Sequence, residues 1–100
     1  MFLSLQSAID RVHKELSTPG ACLIGHNIKA DIQFLAKKSR SPINIPIFDT
    51  QIMYRQATLG ENILGLVRVL EELQIEHANL HNAGNDAYYT LEVFKKIANI

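Results

Sequence analysis

The residues best suited to chemistry lie in one short stretch, residues 81–87, with the sequence His-Asn-Ala-Gly-Asn-Asp-Ala. This stretch places an imidazole, His81, five positions before a carboxylate, Asp86, where a helix is predicted to begin. An imidazole titrates near neutral pH and can therefore take a proton from a water molecule. We expect the upstream part of the chain to bring a second carboxylate, Asp31, towards the same place. These three residues are the candidates for a catalytic site.

Carboxylates also follow the predicted strands. Asp49 stands at the end of one strand, and Asp31 comes within two helical turns of the end of the other, at Gly25. Ligands collect at the carboxyl ends of the strands in open α/β sheets. Carboxylates gathered there repel one another unless a cation neutralises them, and hard divalent ions prefer oxygen ligands. Two such ions can hold a phosphodiester and activate a water, whose proton His81 could remove.

The elements that must position these residues alternate between helix and strand. Apolar residues at helical spacing predict helices at Leu5–Leu16, His26–Lys38, from Glu61 or Asn62 to Leu73, and at Ala83–Ile97, with a helical turn up to Tyr54. Two short apolar runs, 21–25 and 45–48, predict strands. Pro46 would remove a ladder hydrogen bond, so it should lie at a strand start or an edge.

The order of these elements implies a parallel pair of strands joined by a right-handed crossover. Open sheets usually hold about four to six strands. The predicted fold class is therefore α/β, with parallel strands flanked by helices and with strands missing from the sheet. The 100 residues are expected to form a single domain, 1–100.

Several candidate residues have structural interpretations that compete with a role in chemistry. Asp49 is better suited to cap the following helix than to bind a ligand, and His26 to pack at a strand end. Asn27 is a plausible cap for the helix after it. One of Tyr88 and Tyr89 should be packed and the other exposed.

Packing predictions follow from the same periodicity. Cys22 is the single cysteine, which excludes an internal disulfide, and its apolar neighbours predict that it is buried. The buried face of the last helix is predicted to comprise Ala87, Leu91, Phe94, Ile97 and Ala98.

Charge and composition narrow the function classes. Ten basic and ten acidic residues cancel, which disfavours a pure nucleic-acid-binding module with a basic face. An enzyme that holds nucleic acid through metal ions needs less basic charge. The chain starts without a basic leader and has no apolar run near the ~20 residues that span a bilayer. We therefore expect an intracellular protein of the cytoplasm or nucleus, without membrane contact.

The motifs resemble those of the DEDD exonucleases, which have a DnaQ-like, ribonuclease H-like fold. Residues 25–35, Gly-His-Asn-Ile-Lys-Ala-Asp-Ile-Gln-Phe-Leu, resemble the second motif of that family. Residues 81–87 resemble its third motif in the histidine form, His-x-x-x-x-Asp, which marks the DEDDh subgroup. Residues 47–50 are similar to the strand and turn between the two motifs. Residues 80–87 look especially like a fungal branch that contains QIP-like proteins.

The resemblance implies a 3′-to-5′ exonuclease that acts on the 3′ end of DNA or RNA with Mg²⁺ or Mn²⁺. It implies that Asp31 and Asp86 are metal ligands and that His81 is the general base, so that the catalytic set is His81, Asp86 and Asp31. The family's first motif, Asp-x-Glu on an opening strand, does not occur in these 100 residues. We therefore expect a partial domain, comprising the C-terminal part of the fold and weak or inactive alone. The alternative is a non-catalytic remnant that binds nucleic acid or protein.

An opening strand would pair with the strand at 21–25. Without it, the backbone of that strand presents an open apolar edge, which is a template for pairing with another chain. We expect the chain to self-associate through that edge.

Overall fold

The computed structural model describes residues 5–39 and 44–100. Its elements follow in the order α1 Leu5–Leu16, β1 Leu23–Gly25, α2 Lys29–Ser39, β2 Ile47–Asp49, α3 Thr50–Thr58, α4 Leu66–Glu72 and α5 Ala83–Ala98. In the described ranges, β1 and β2 form a two-stranded parallel sheet. The predicted α/β class and partial ribonuclease H-like fold are confirmed. No helix in the described ranges is long and apolar enough to cross a membrane.

The described residues divide into two compact units. Unit 1 comprises the described parts of 1–23 and 28–47, and unit 2 comprises 24–27 and 48–100. Unit 1 contains α1 packed against α2. The amide of Leu23 donates to the carbonyl oxygen of Pro46 at 2.9 Å, so Pro46 lies just before β2 and contributes only its carbonyl to the pairing. Its predicted position at a strand start is confirmed.

Two residues of unit 1 that were expected to be buried, Cys22 and Val12, are exposed. Cys22 is exposed, so its predicted burial was wrong. The strand is only three residues long and begins at Leu23, which leaves Cys22 outside the paired segment. On the predicted apolar face of α1, Val12 is 39% exposed, while the side chains of Leu5 and Ile9 lie outside the described residues.

The core of unit 2 lies between α5 and the two helices that pack on it, α3 and α4. Four apolar side chains are buried there, namely Tyr54, Val69, Leu70 and Val93. Around them pack partly buried apolar side chains from the loops and helices, namely Leu64, Leu66, Leu73, Ile75, Leu80, Tyr89 and Ile97. This core fixes the place of the loop that precedes α5, because Leu80, three residues before the helix, packs against it.

The start of α4 differs from the prediction. The helix begins at Leu66 with Gly65 as N-cap, rather than at Glu61 or Asn62, and Ile63 is 59% exposed. The carbonyl oxygen of Leu64 accepts hydrogen bonds from the side chains of His26 and Gln51, at 2.9 and 3.0 Å. These long-range partners hold the segment before Gly65 in a loop, which helical periodicity could not reveal.

The buried face of α5 is rotated from the predicted one. Thr90 and Val93 are the buried residues of the helix, and Leu91 is 44% exposed. Phe94 and Ile97 are half-buried, which agrees with the prediction for these two residues. Ala87 and Ala98 are exposed, which does not agree. Successive residues of a helix are 100° apart, so two adjacent stripes can both carry apolar residues at spacings of three and four.

A buried tyrosine links α3 to α4. The hydroxyl of Tyr54 donates to Oε1 of Glu72 at 2.7 Å, and Nε of Arg68 donates to Oε2 of the same carboxylate at 3.0 Å. The hydrogen bond from Tyr54, followed by that from Arg68, lowers the pKa of Glu72 below its ordinary value of 4.5. The hydrogen bond to Glu72, followed by burial, raises the pKa of Tyr54 above 10.0.

The Tyr54–Glu72 bond predicts a pH dependence of stability. A carboxyl group whose pKa is lower in the folded state stabilises the fold above its unfolded-state pKa, and this contribution is lost as pH falls through the folded-state value. Tyr54→Phe should therefore reduce the unfolding midpoint in urea at pH 7 more than at a pH well below 4.5. Equal losses at both pH values would show that the bond does not depend on the ionised carboxylate.

The burial of Leu70 on α4 and the exposure of Leu91 on α5 predict unequal effects when the two side chains are truncated. Leu70→Ala deletes a fully buried side chain and should cost about 2–5 kcal/mol of unfolding free energy. Leu91→Ala deletes the same atoms at a position that is 44% exposed, and should cost much less. Urea titrations followed by circular dichroism compare the two variants. A loss at Leu91 as large as that at Leu70 would restore the face predicted from sequence.

Candidate functional site

The Asp49 side chain accepts hydrogen bonds from two backbone amides near the start of α3. Its Oδ1 accepts the amide of Gln51 at 2.9 Å and the amide of Asn27 at 2.9 Å. The first bond is an N-cap and confirms the capping role predicted for Asp49. Asn27 has a left-handed backbone with φ 58°, and α2 begins two residues later, at Lys29. Asn27 is therefore not the N-cap of α2 that the sequence suggested.

His26 is held from both sides of its ring. Its Nε2 lies 2.9 Å from the carbonyl oxygen of Leu64, and its Nδ1 lies 2.8 Å from the hydroxyl of Thr50. A carbonyl can only accept, so Nε2 carries a proton. The Thr50 hydroxyl is buried and also lies within donating distance, 3.1 Å, of the carbonyl oxygen of Gly25. These bonds confirm that His26 packs at the strand end.

The candidate base, His81, lies in a loop of unusual backbone geometry. The loop comprises residues 78–82, called here the His81 loop, and two of its residues are left-handed: Asn79 with φ 57° and His81 with φ 70°. The left-handed conformation costs an L-residue about 1–2 kcal/mol. Asn and His adopt this conformation more often than most residues do, and a hydrogen bond to the backbone gives it further support. The side chain of His81 is exposed.

Asp86 provides that support. The backbone amide of His81 donates to Oδ1 of Asp86 at 3.1 Å, across the first turn of α5. A carboxylate in a first helical turn is also favoured by the helix dipole. The two residues that the sequence singled out are therefore joined, but through the backbone of His81 and not through its ring.

The start of α5 is closed by Asn82. Its Oδ1 accepts the amides of Gly84 and Asn85, at 3.0 and 3.2 Å, and its carbonyl oxygen accepts the amide of Asp86 at 2.8 Å. An Asn at the N-cap satisfies amides that have no partner within the helix. The N-cap directly after His81 therefore fixes the start of the helix at Ala83.

Two further residues of α5 reach back to the His81 loop, and sequence reasoning missed both roles. Nδ2 of Asn85 donates to the carbonyl oxygen of Asn79 at 3.0 Å, and the amide of Ala78 donates to the hydroxyl of Tyr89 at 3.2 Å. The signal that could have revealed them is spacing, because positions 82, 85, 86 and 89 share one helical face. Tyr89 is packed and Tyr88 is 59% exposed, which confirms the prediction for this pair.

A small cavity opens beside His81. Its volume is about 240 Å³, and it is lined by Gly65, Leu66, Val67, Leu80, His81 and Asp86. One wall is therefore apolar, contributed by the start of α4 and by Leu80. The other carries the imidazole and the carboxylate.

Asp31 belongs to unit 1, where it lies exposed in the first turn of α2. Within residues 5–39 and 44–100, no three His, Cys, Asp or Glu side chains are grouped so as to hold a metal ion. One oxygen of Asp86 is already bonded to the His81 amide. The described residues therefore do not fit a divalent metal centre by themselves.

Comparison with known proteins identifies relatives of this chain. A family model described as DNA polymerase III subunit epsilon-like, C-terminal domain, of the DEDDh group, matches residues 2–97. The protein named "Good for full DBP5 activity protein 2" from Saccharomyces cerevisiae is 39% identical over 82% of this chain. An uncharacterized nucleolar protein of Schizosaccharomyces pombe is 32% identical over 91% of it, and a second Saccharomyces cerevisiae protein, uncharacterized, is 39% identical over 54%.

The matched region is a minor part of each relative. It covers 14% and 11% of the two Saccharomyces cerevisiae proteins and 41% of the Schizosaccharomyces pombe protein. No solved structure matches the chain.

Proposed function

Because this chain belongs to the DEDDh exonuclease family, as the C-terminal part of its domain, we propose that it serves 3′-to-5′ hydrolysis of nucleic-acid phosphodiesters. One observation carries the proposal. His81 and Asp86 are joined by a hydrogen bond that fixes the left-handed backbone of His81 and leaves its imidazole exposed. A general base must reach the proton that it removes, and an exposed ring on a fixed backbone meets this requirement.

In this proposal His81 takes the proton of the water that attacks the phosphodiester. Asp86 has two roles, since one oxygen holds the amide of His81 and its charge contributes to a metal site. Asp31 contributes the second carboxylate from this chain. Family members use divalent metals, but two aspartates are too few ligands for Mg²⁺ or Mn²⁺ here, so the proposal requires the carboxylates of an Asp-x-Glu motif that these 100 residues do not contain.

A second candidate function rests on the small number of potential metal ligands. No Asp-x-Glu occurs in the sequence, and no grouping of three potential ligands occurs within the described residues. A non-catalytic remnant that binds nucleic acid or protein would have this composition. The two candidates differ in one respect, because only the first gains activity when the missing carboxylates are supplied.

The family also guides proposals about partners. We propose the 3′ end of DNA or RNA as substrate, and a single ribonuclease H-like domain over 1–100. The nucleolar relative favours a nuclear site of action within the cell. Self-association is proposed through β1, whose one neighbour in the described part of the chain is β2.

The test joins this chain to an opening segment with Asp-x-Glu from a family member and measures trimming of a 3′-labelled oligonucleotide with Mn²⁺. His81→Ala should lower kcat about 10²–10⁴-fold and leave KM nearly unchanged, because a positioned base acts in the transition state. Asp86→Asn should be at least as damaging. The amide oxygen of Asn can still accept from His81, so this variant removes the charge and keeps the backbone bond.

Glu76→Gln is the matched control for Asp86→Asn, since it neutralises an exposed carboxylate away from the cavity. Circular dichroism verifies that every variant is folded. If alanine at position 81 leaves the rate unchanged, His81 is a structural residue. If the joined protein shows no trimming at all, the binding remnant is the better account.

A further inference from the structure

We propose that Asn85 is a positioning residue for His81, with its side-chain amide setting the backbone conformation of the His81 loop. This proposal rests on the proposed function only in that the proposed function makes His81 the general base. The geometry itself is independent of any substrate.

Three hydrogen bonds join side chains of α5 to the backbone of the loop at Ala78, Asn79 and His81. The Tyr89 hydroxyl holds the amide of Ala78, Nδ2 of Asn85 holds the carbonyl of Asn79, and Oδ1 of Asp86 holds the amide of His81. Each of these bonds joins a side chain of α5 to a different backbone group of the loop. The loop is therefore bonded along its length to one face of α5.

Asn85 is the member of this set that governs the turn before His81. Its bond fixes the carbonyl of Asn79, the first of the two left-handed residues, and two residues later the chain must be left-handed again. If the Asn79 carbonyl is released, the peptide units between the two left-handed residues can rotate together. The His81 amide then turns away from Asp86, and the Cα–Cβ bond that carries the imidazole loses its fixed direction.

This role differs from helix capping. The cap of α5 is Asn82, whose Oδ1 accepts the amides of Gly84 and Asn85. The backbone of Asn85 takes part in that cap, whereas its side chain points back to the loop. A substitution that changes only the side-chain donor therefore separates positioning of the loop from stability of the helix.

Asn85→Asp is such a substitution. It preserves shape and places a carboxylate in the first turn, which the helix dipole favours, so α5 should fold at least as well. An ionised carboxylate cannot donate, so the bond to the Asn79 carbonyl is lost. Asn62→Asp makes the same chemical change at an exposed residue outside the His81 loop and serves as the control.

Nuclear magnetic resonance of the full 100-residue chain at pH 7 provides the test without any nucleic acid. In Asn85→Asp, the His81 amide should exchange with water about two- to tenfold faster, as expected for loss of one hydrogen bond. The coupling constant between its amide and Hα protons should move from the value for φ near 70° towards that of an averaged backbone. These changes should be confined to residues 78–82 and be absent in Asn62→Asp. Asn85→Ala should reproduce them.

Two results of the resonance experiment would overturn the proposal. Unchanged exchange and coupling of His81 in Asn85→Asp would overturn the proposal. Equal loss of protection throughout α5 would also overturn it, because it would show that Asn85 acts through helix stability. In the joined, active protein, the variant should lower kcat with little change in KM. Failure of that protein to trim would count against the proposed exonuclease function, while the resonance data would still decide the role of Asn85.

Discussion

The hydrogen bond from the His81 amide to the Asp86 carboxylate is the interaction on which the candidate site depends. It holds a histidine in a left-handed backbone conformation at the entrance to α5. The same device occurs at the end of β1, where the amide of left-handed Asn27 donates to Oδ1 of Asp49 at the start of α3. At both places, an aspartate at a helix start fixes the segment that leads to the site residues. The chain thus uses two of its carboxylates to fix backbone geometry.

The features that could be predicted from the sequence are those that depend on residues close together in the chain. Short-range features were predictable, because cap residues, proline and glycine act on their immediate neighbours. The cap at Asp49, the strand start after Pro46 and the bounds of α5 are of this kind. The packing of His26 was also predicted, since it is a strand-end residue with a suitable hydroxyl and carbonyl close by in the fold.

The errors have several causes, of which one is long-range. The segment before α4 is a loop because the Leu64 carbonyl serves His26, 38 residues away, and Gln51, 13 residues away. The exposed Cys22 follows from a strand shorter than its apolar run. The role of Asn85 was missed because its partner is a backbone carbonyl, which no residue type marks, so that the helical spacing of Asn85 was the one available signal. Family motifs identify the residues that touch a substrate, but not those that hold them in place.

Family membership is established for this chain, and its local geometry joins His81 to Asp86, but one requirement of the proposed function is unmet. The chain carries the second and third motifs of the DEDDh family and spans a minor part of the relatives it matches. Its neutral net charge suits a protein that holds nucleic acid through bound cations more than through a basic surface. Those cations need more carboxylates than the described residues bring together. We propose that these 100 residues supply the base and part of the metal site, and that activity requires an Asp-x-Glu motif that they do not contain.

Calorimetric titration of the 100-residue chain with Mn²⁺, followed by digestion of a 3′-labelled oligonucleotide with the same sample, tests this claim most directly. The account predicts weak ion binding and slow or undetectable trimming, both strengthened when an Asp-x-Glu segment is joined to the chain. Tight binding of two ions together with rapid 3′-to-5′ trimming by the 100 residues alone would contradict it.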